Sequence, residues 1–508
     1  MRTLARSLWR PYVCPSCRHG IQSRRSYASK SPQVPDIYDI VCVGGGPAGL
    51  GLLAALRSSP ITSKLRIALI ESQDLTKARN WNLDSGKFSN RVSSLTPSSV
   101  GFLRDIGVWQ HVDNTRVQPY REMQVWDGTT GSKISFDWSV DSTVTTESQT
   151  IATMTENANL VRGMLSRIAS LGDDVTIFSG TTVASIENGV ELEDGPDLSS
   201  WPVLSLSSPS STASPPKIAA RLLVGADGIN SPVRSFASIS THGWDYNRHG
   251  VVASLNLSDL DPTYTKTAYQ RFLPDLGGPV ALLPLPGNYA TLVWSTTVQN
   301  AAYLKSLSPE AFTAMVNAAF RLSMTDLKYM FSLPSSSPEP STSPSSPSST
   351  PHGEELSWRL QHTSVPSIVP PPVSSIQPGT TASFPLRYRH ASSYISPRVA
   401  LVGDAAHVVH PLGGQGLNLG IGDVASLHSA ITYAVSHGMD IGSLLSLEPY
   451  AADRYIKNAK VAGACDLLHK VYNVPGHGPI PWARGFGLDM VDRVPMLKGF
   501  FMNQAAGA

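Results

Sequence analysis

The stretch from Asp39 to Glu71 constrains the fold more than any other part of the chain. An apolar run, Asp39-Ile-Val-Cys-Val43, leads straight into Gly44-Gly-Gly-Pro-Ala-Gly49, and residues 47–56 then read as a helix. A second apolar run over residues 65–70 ends in Glu71, 22 positions after Gly49. Strand, glycines, helix and strand in this order make a βαβ unit whose glycines have separate tasks. Gly44 makes the turn, Gly46 lets a pyrophosphate approach the backbone, and Gly49 lets helix and strand pack closely. An acidic side chain at the end of the second strand can accept both hydroxyl hydrogens of an adenosine ribose. The expected fold class is therefore α/β, with a Rossmann-like dinucleotide-binding domain.

Two further stretches place a carboxylate and a glycine at the carboxyl end of an apolar strand, where open α/β sheets bind ligands. One is Ala220-Arg-Leu-Leu-Val-Gly-Ala-Asp227-Gly228, continued by Ser231-Pro232 as the cap and first turn of a helix. The other is residues 399–423, VALVGDAAHVVHPLGGQGLNLGIGD, where Val399 to Val402 run into Gly403-Asp404. Its loop, with Pro411, Gly413, Gly414 and Gly416, carries little side-chain bulk, so the N–H groups at the following helix start can approach a flat, electron-rich ligand.

Between the second and third of these stretches the apolar period changes to two, in segments 251–255, 268–272, 280–283 and 289–294, which indicates an antiparallel sheet and a second lobe. A chain of 508 residues is long enough for two lobes. The expected domain organisation gives residues 36–240 to the first part of the dinucleotide-binding domain, 241–390 to the sheet lobe, 391–475 to the second part, and 476–508 to a C-terminal helical segment. Residues 332–380 are rich in Ser, Pro and Thr and are expected to be a disordered insertion. Residues 189–216 read as a surface hairpin extension, and 123–136 as a hairpin around Asp127-Gly128. Helices are expected over 160–168, 308–322, 416–436 and 449–472.

The first 35 residues carry seven cationic side chains and no acidic one, the composition of a mitochondrial presequence. Removing them takes the formal charge from +2 to about −5, so the basic balance belongs to an address and gives no reason to expect nucleic-acid binding. Cys14-x-x-Cys17 has no second Cys/His pair at finger spacing, no metal cluster is expected, and Cys42 and Cys465 read as core residues. No apolar run reaches the roughly 18 residues of a membrane span. Residues 482–508, with apolar and basic side chains interleaved, fit either a membrane or partner surface or packing against the body.

Taken together, Gly44-x-Gly46-x-x-Gly49, Asp227-Gly-x-x-Ser231-x-Val-Arg234 and Gly403-Asp-Ala-Ala-His-x-x-x-Pro411-x-x-Gly414-Gln-Gly-x-Asn418 resemble the aromatic-ring flavin monooxygenases of the para-hydroxybenzoate hydroxylase type, and most closely their ubiquinone-biosynthesis branch. Asn90-Arg91-Val-Ser, Gln124-Val-Trp-Asp, Glu156-Asn157 and Leu283-Pro284-Leu support it. The resemblance implies FAD as cofactor and an inserted sheet domain for substrate. Carried over by position, it places Gly44, Gly46, Gly49 and Glu71 at the adenosine end, and Arg91 near the ribityl and pyrophosphate region. Asp227 with Gly228 would serve both FAD and reductant. Gly403 and Asp404 would meet the ribityl chain, and Pro411, Gly414, Gln415, Gly416 and Asn418 the flavin's pyrimidine edge. No side chain is nominated as catalytic, because the flavin carries the oxygen chemistry.

The implied reaction is hydroxylation of a polyprenylated hydroxybenzoate or phenol by O2. The electron donor would be a ferredoxin with its reductase, or NAD(P)H, and the implied setting a ubiquinone-biosynthesis complex held peripherally on the matrix face of the inner membrane. A soluble NAD(P)H-dependent hydroxylase of small aromatics and a non-catalytic, FAD-stabilised subunit of a lipid-handling complex are the alternatives. His407 and His410 read as structural or flavin-packing. Tyr269, Gln270 and Arg271 face either substrate or the outer side of the second sheet.

Overall fold

A computed structural model describes residues 35–487, apart from 138–149, 173–174, 192–195, 208–215, 259–263, 265, 336–349, 365, 367, 475–477, 480 and 482. The proposed presequence, Cys14, Cys17 and residues 488–508 lie outside the described residues.

The Asp36–Val43 strand sits in the middle of the first sheet because from Ile40 onward its side chains are all apolar and buried on both faces. It pairs in parallel with Ile67–Glu71 on one side and Lys217–Gly225 on the other. The sheet continues through Val175–Ser179 at one edge and through Val399–Leu401 and Ile395–Ser396 at the other. Pro202–Ser207 joins it as an antiparallel strand against both Lys217–Gly225 and Thr182–Asn188, with Leu204 and Leu206 fully buried. That part of the expected surface hairpin is thus sheet. The helices Pro47–Ser58, Asn157–Ser170 and Gly416–Ser436 pack with this sheet into one large apolar core.

The second sheet has nine strands. In order it runs His407–Val408, Ala382–Ala391, Thr241–Leu257, Tyr289–Thr297, Gly278–Leu285, Thr267–Leu273, Glu122–Asp127 and Lys133–Asp137, with Val373–Ile376 alongside Thr241–Leu257. One face is covered by the Val298–Ser306, Pro309–Arg321 and Met324–Met330 helices; the other borders a cavity. The 123–136 hairpin forms as expected, but in this second sheet, where Glu122–Asp127 lies parallel to Thr267–Leu273. A boundary at residue 240 is therefore too simple: the chain enters the second lobe, leaves it and returns.

Two expectations are corrected. Within residues 332–380 the structure places a helix, Pro351–His362, and the Val373–Ile376 strand, while 336–349 are outside the described residues. Few apolar groups suffice there, because Leu356 is buried in the second core and the buried His352 ring meets the Tyr303 hydroxyl at 2.7 Å. The helix expected from Pro449 instead starts at Leu444, where Ser443 accepts a hydrogen bond from the Ser446 N–H and so caps it.

Candidate functional site

A cavity of about 1610 Å³ lies between the ends of the first sheet and the open face of the second. It exceeds the ~300–1,000 Å³ that holds one drug-sized ligand, so it has room for a dinucleotide and a second molecule. Every nominated residue except Gly49 and Asn418 lines it.

At one end the Gly44 turn has φ +108°, and a Cβ there would meet the Ala226 carbonyl oxygen at 2.2 Å. A Cβ on Gly49 would lie 1.9 Å from the Gly44 carbonyl oxygen, so helix and strand touch only because both residues are glycine. A Cβ on Gly46 would meet nothing within 4 Å, and this residue opens onto the cavity. Glu71 is held at the strand end by three donors: the N–H of Gly45 at 2.5 Å, the N–H of Gln73 at 2.7 Å and the Ser72 hydroxyl at 3.1 Å. Arg91 follows Ser89, whose N–H donates to the buried Glu156, itself paired with the buried Arg116 at 2.7 Å. The Arg91 carbonyl accepts from the Asn157 N–H, and its exposed side chain borders the cavity.

The two Gly-Asp loops are clamped together by Arg234, which donates to the Ala405 carbonyl at 2.8 Å and to the Ile229 carbonyl at 2.6 Å. Asp227 accepts from the Val233 N–H through Oδ2, while its buried Oδ1 has no partner among the described residues. Burial pushes the Asp227 pKa up, partly offset by hydrogen bonds from Ser231 and Val233. The Asp404 carboxylate is open to the cavity yet lies deep in the protein, and burial raises its pKa too, against the opposing pull of His407. No hydrogen bond reaches it from a described residue.

The turn that presents Asp404 is fixed from below by Asp423, which is completely buried. Asp423 Oδ2 accepts from the Gly403 N–H at 3.0 Å and lies 2.5 Å from His407 Nε2. Its Oδ1 accepts from Arg454 Nε at 3.1 Å and Asn458 Nδ2 at 2.8 Å. Burial alone would raise the Asp423 pKa, but His407, Arg454 and Asn458 hold it below the usual carboxylate range. This network was missed from sequence. The available signal was Asp423 itself, an acidic residue on an otherwise apolar helix face.

Gly414 and Gly416 border the cavity at the start of the Gly416–Ser436 helix, where the first-turn N–H groups have no intrahelical acceptor. A Cβ on Gly416 would meet nothing within 4 Å. Asn418 differs from its expected place at the ligand: its amide accepts from the Thr96 N–H at 2.9 Å and donates to the Ser94 and Gly414 carbonyls. It positions the loop and does not line the cavity. His410 is buried against Tyr246 and His469, with ring centroids 5.0 and 4.5 Å away, and burial with the neighbouring His469 pushes its pKa down to about 3.

At the far end, Phe272 stacks on Tyr472 at 3.8 Å, and Arg484 donates to Asp127 at 2.7 Å with both side chains fully buried. Arg484 was not nominated. Of Tyr269, Gln270 and Arg271, only Gln270 lines the cavity. Tyr269 packs in the core beneath the sheet, and Arg271 donates to the Ala319 carbonyl at 2.9 Å.

These features suit FAD. An orphaned carboxylate oxygen on Asp227, the Asp404 carboxylate open to the cavity, open space at Gly46 and Gly416, and a helix N-terminus are what a ligand with hydroxyls, a pyrophosphate and an electron-rich ring edge requires.

The family described as FAD binding domain matches residues 38–330 and 332–455. The chain is 37% identical over 503 residues to the mitochondrial ubiquinone biosynthesis monooxygenase COQ6 of Schizosaccharomyces pombe, covering 98% of this chain and 96% of that one. It is 38% identical over 496 residues to the protein of the same name from Saccharomyces cerevisiae (95% and 96% covered), and 33% identical over 466 residues to that of Homo sapiens (91% and 91% covered). Among solved structures it resembles p-nitrophenol 4-monooxygenase PnpA from Pseudomonas putida DLL-E4, with TM-score 0.62, 16% identity, and 93% and 98% of the two chains covered. PqsL, a probable FAD-dependent monooxygenase from Pseudomonas aeruginosa, gives TM-score 0.59 at 18% identity, with 86% and 97% covered. These two share the fold: a dinucleotide-binding domain carrying an inserted sheet domain. With near-complete coverage at over 30% identity, the chain belongs to the ubiquinone biosynthesis monooxygenase family and is a flavoprotein of the FAD binding domain type.

Proposed function

We propose that this chain hydroxylates the aromatic ring of a polyprenylated hydroxybenzoate or phenol on the way to ubiquinone, with O2 as co-substrate. The observation that carries it is one continuous cavity walled by dinucleotide-type loops at one end and by a largely apolar sheet at the other. Glu71 would hold the ribose, Asp404 the ribityl chain and Asp227 the region between them, with Arg91 beside the pyrophosphate. The Gly416–Ser436 helix N-terminus favours negative charge on the reduced ring. Bound FAD supplies the activation and transfer of oxygen. The protein's own contributions are to exclude water and to hold the substrate ring within reach.

A mitochondrial location follows from the names of the relatives and from the basic first 35 residues. Among the described residues no helix is long and apolar enough to cross a membrane, which is compatible with peripheral attachment to the matrix face and to a multi-subunit complex. With one dinucleotide fingerprint in the chain, electrons come from outside it, and a ferredoxin system is the preferred donor over NAD(P)H. The test is product analysis of purified, FAD-loaded protein with a prenylated 4-hydroxybenzoate, supplied with either NADPH alone or NADPH, ferredoxin and ferredoxin reductase. Hydroxylated product only with ferredoxin supports the full reading. Turnover with NADPH alone removes the ferredoxin step, and absence of bound FAD, or of product with both donors, refutes the reaction.

A further inference from the structure

The wall of the cavity opposite the FAD loops is built on one transverse row of the second sheet. Strand register sets Ile134, Val125, Gln270, Ala281, Val293 and Val252 side by side, with Ala382 following. All seven line the cavity. Six are apolar; the exception is Gln270, near the middle of the row. The residue is only 6% exposed, its side chain borders the cavity, and no hydrogen bond joins its amide to a described residue. Its hydrogen bonds are therefore left to water or to a ligand in the cavity. The side chain has no other direction available, because Tyr269 and Arg271 on either side of it point into the helix-covered face.

Charge on the cavity wall is distributed unevenly. Its charged residues are Glu71, Arg91, Asp227 and Asp404, all on the dinucleotide side, together with Arg484, whose Nε pairs with Asp127 and whose Nη1 donates to the Val471 and Val474 carbonyls, with Nη2 unpartnered among the described residues. No Lys, Arg, Asp or Glu of the described cavity wall projects from the row around Gln270. Within the sheet, the next polar side chains that line the cavity, Thr291 and Ser295, are two strands away, roughly 10 Å at ordinary strand spacing. A ring lying on Ala281 and Val293 therefore meets a row whose one polar side chain, Gln270, is uncharged. An aromatic hydroxyl both donates and accepts, and the amide of glutamine offers the matching acceptor and donor.

Resting on the hydroxylase reading above, we propose that Gln270 is a specificity-determining residue: its amide receives the hydroxyl substituent of the substrate ring and so sets which ring edge faces the flavin. The sheet floor is thereby a site for an uncharged phenolic group.

The experiment measures Kd by perturbation of the flavin absorbance in FAD-loaded protein, for a prenylated 4-hydroxybenzoate and for its 4-methoxy analogue, in wild type, Gln270→Leu and Gln270→Glu. Loss of a partner to a buried polar group weakens binding roughly 5- to 100-fold. The expected result is a loss of this size for the phenol in Gln270→Leu, a smaller loss in Gln270→Glu, which keeps an acceptor, and little change for the methoxy analogue. Equal losses for both ligands, or none in either variant, overturn the assignment of Gln270 while leaving the hydroxylase reading intact. If wild type binds neither ligand, the hydroxylase reading fails first and the inference falls with it. FAD content unchanged in Gln270→Leu separates loss of a direct contact from a folding defect.

Discussion

Removing the carboxylate of Asp423 is the most searching test of how the Gly403-Asp404 turn at the cavity is built. Four donors converge on it: the Gly403 N–H, His407 Nε2, Arg454 Nε and Asn458 Nδ2. In Asp423→Ala the Arg454 guanidinium remains largely buried without its counter-charge, and breaking such a pair costs about 3–5 kcal/mol. At roughly 2–4 °C per kcal/mol for a large domain, the apparent Tm should fall by about 6–20 °C. Asp423→Asn keeps shape and one acceptor but turns an amide N–H2 toward donors, so its loss should be smaller, about 1–3 kcal/mol.

Because the pKa of Asp423 is held below the usual carboxylate range, its contribution is complete above the unfolded pKa of about 3.9 and is lost only as pH falls through the lower folded value. The comparison therefore belongs at pH 7. The decisive control is Asp404→Ala. That side chain has no hydrogen bond to a described residue, so its removal should weaken FAD retention without lowering the Tm of FAD-free protein. If Asp423→Ala shifts Tm by less than about 2 °C and FAD is retained as in wild type, the turn is held by something other than this network, and Asp423 is not its anchor.

Other perturbations follow from the same geometry. Gly49→Ala places a methyl where the Gly44 carbonyl oxygen lies 1.9 Å away, so FAD content after purification should collapse; Gly51→Ala, two residues further along the same helix, meets only ordinary contacts at 3.7 Å and should be neutral or stabilising by up to about 1 kcal/mol. His410 and His469 are pushed down to about 3 and about 4, so the unfolded chain protonates them first and stability should decline as pH falls from about 6.5 toward 4. Tyr246, Asp466, Arg248 and Lys470 share that cluster, and His469→Phe should flatten the Tm–pH slope; an unchanged slope would exclude these imidazoles as its source. Arg484→Met leaves Asp127 buried without its cation and should cost about 3–5 kcal/mol while sparing FAD affinity, measured by denaturation and flavin titration in parallel.

What could be read from sequence was local, and what could not was long-range. Gly44, Gly49 and Glu71 are legible because one turn, one close approach and one strand end fix them within a single βαβ unit. Asp227 and Asp404 are legible for the same reason, each ending an apolar strand. Asp423 looks like any helical carboxylate until the fold brings it beneath a turn 20 residues earlier and against Asn458, 35 residues later. Arg484 and Asp127 are 357 positions apart, and no local pattern pairs them. The turn at Asp127-Gly128 correctly marked 123–136 as a hairpin, but pairing partners are set by the whole sheet, so a local turn signal could not say which lobe the hairpin joins.

Residues 350–376 show the converse limit. Composition suggested too few apolar side chains to pack, yet burial needs only one anchor per turn, and Leu356 and His352 provide it.

Gln270 combines both kinds of information. Alternation along a strand states that 270 faces away from 269 and 271, and nothing in that statement says which face is wet, covered or open to a ligand. The choice is made by the Pro309–Arg321 helix, whose Ala319 carbonyl accepts from Arg271 and whose apolar side chains share a core with Tyr269. Once that helix covers one face, Gln270 must be on the other, and the register of six neighbouring apolar residues makes it the polar exception in its row. A strand too ambiguous to assign alone thus becomes specific through an element that begins 36 residues after it ends.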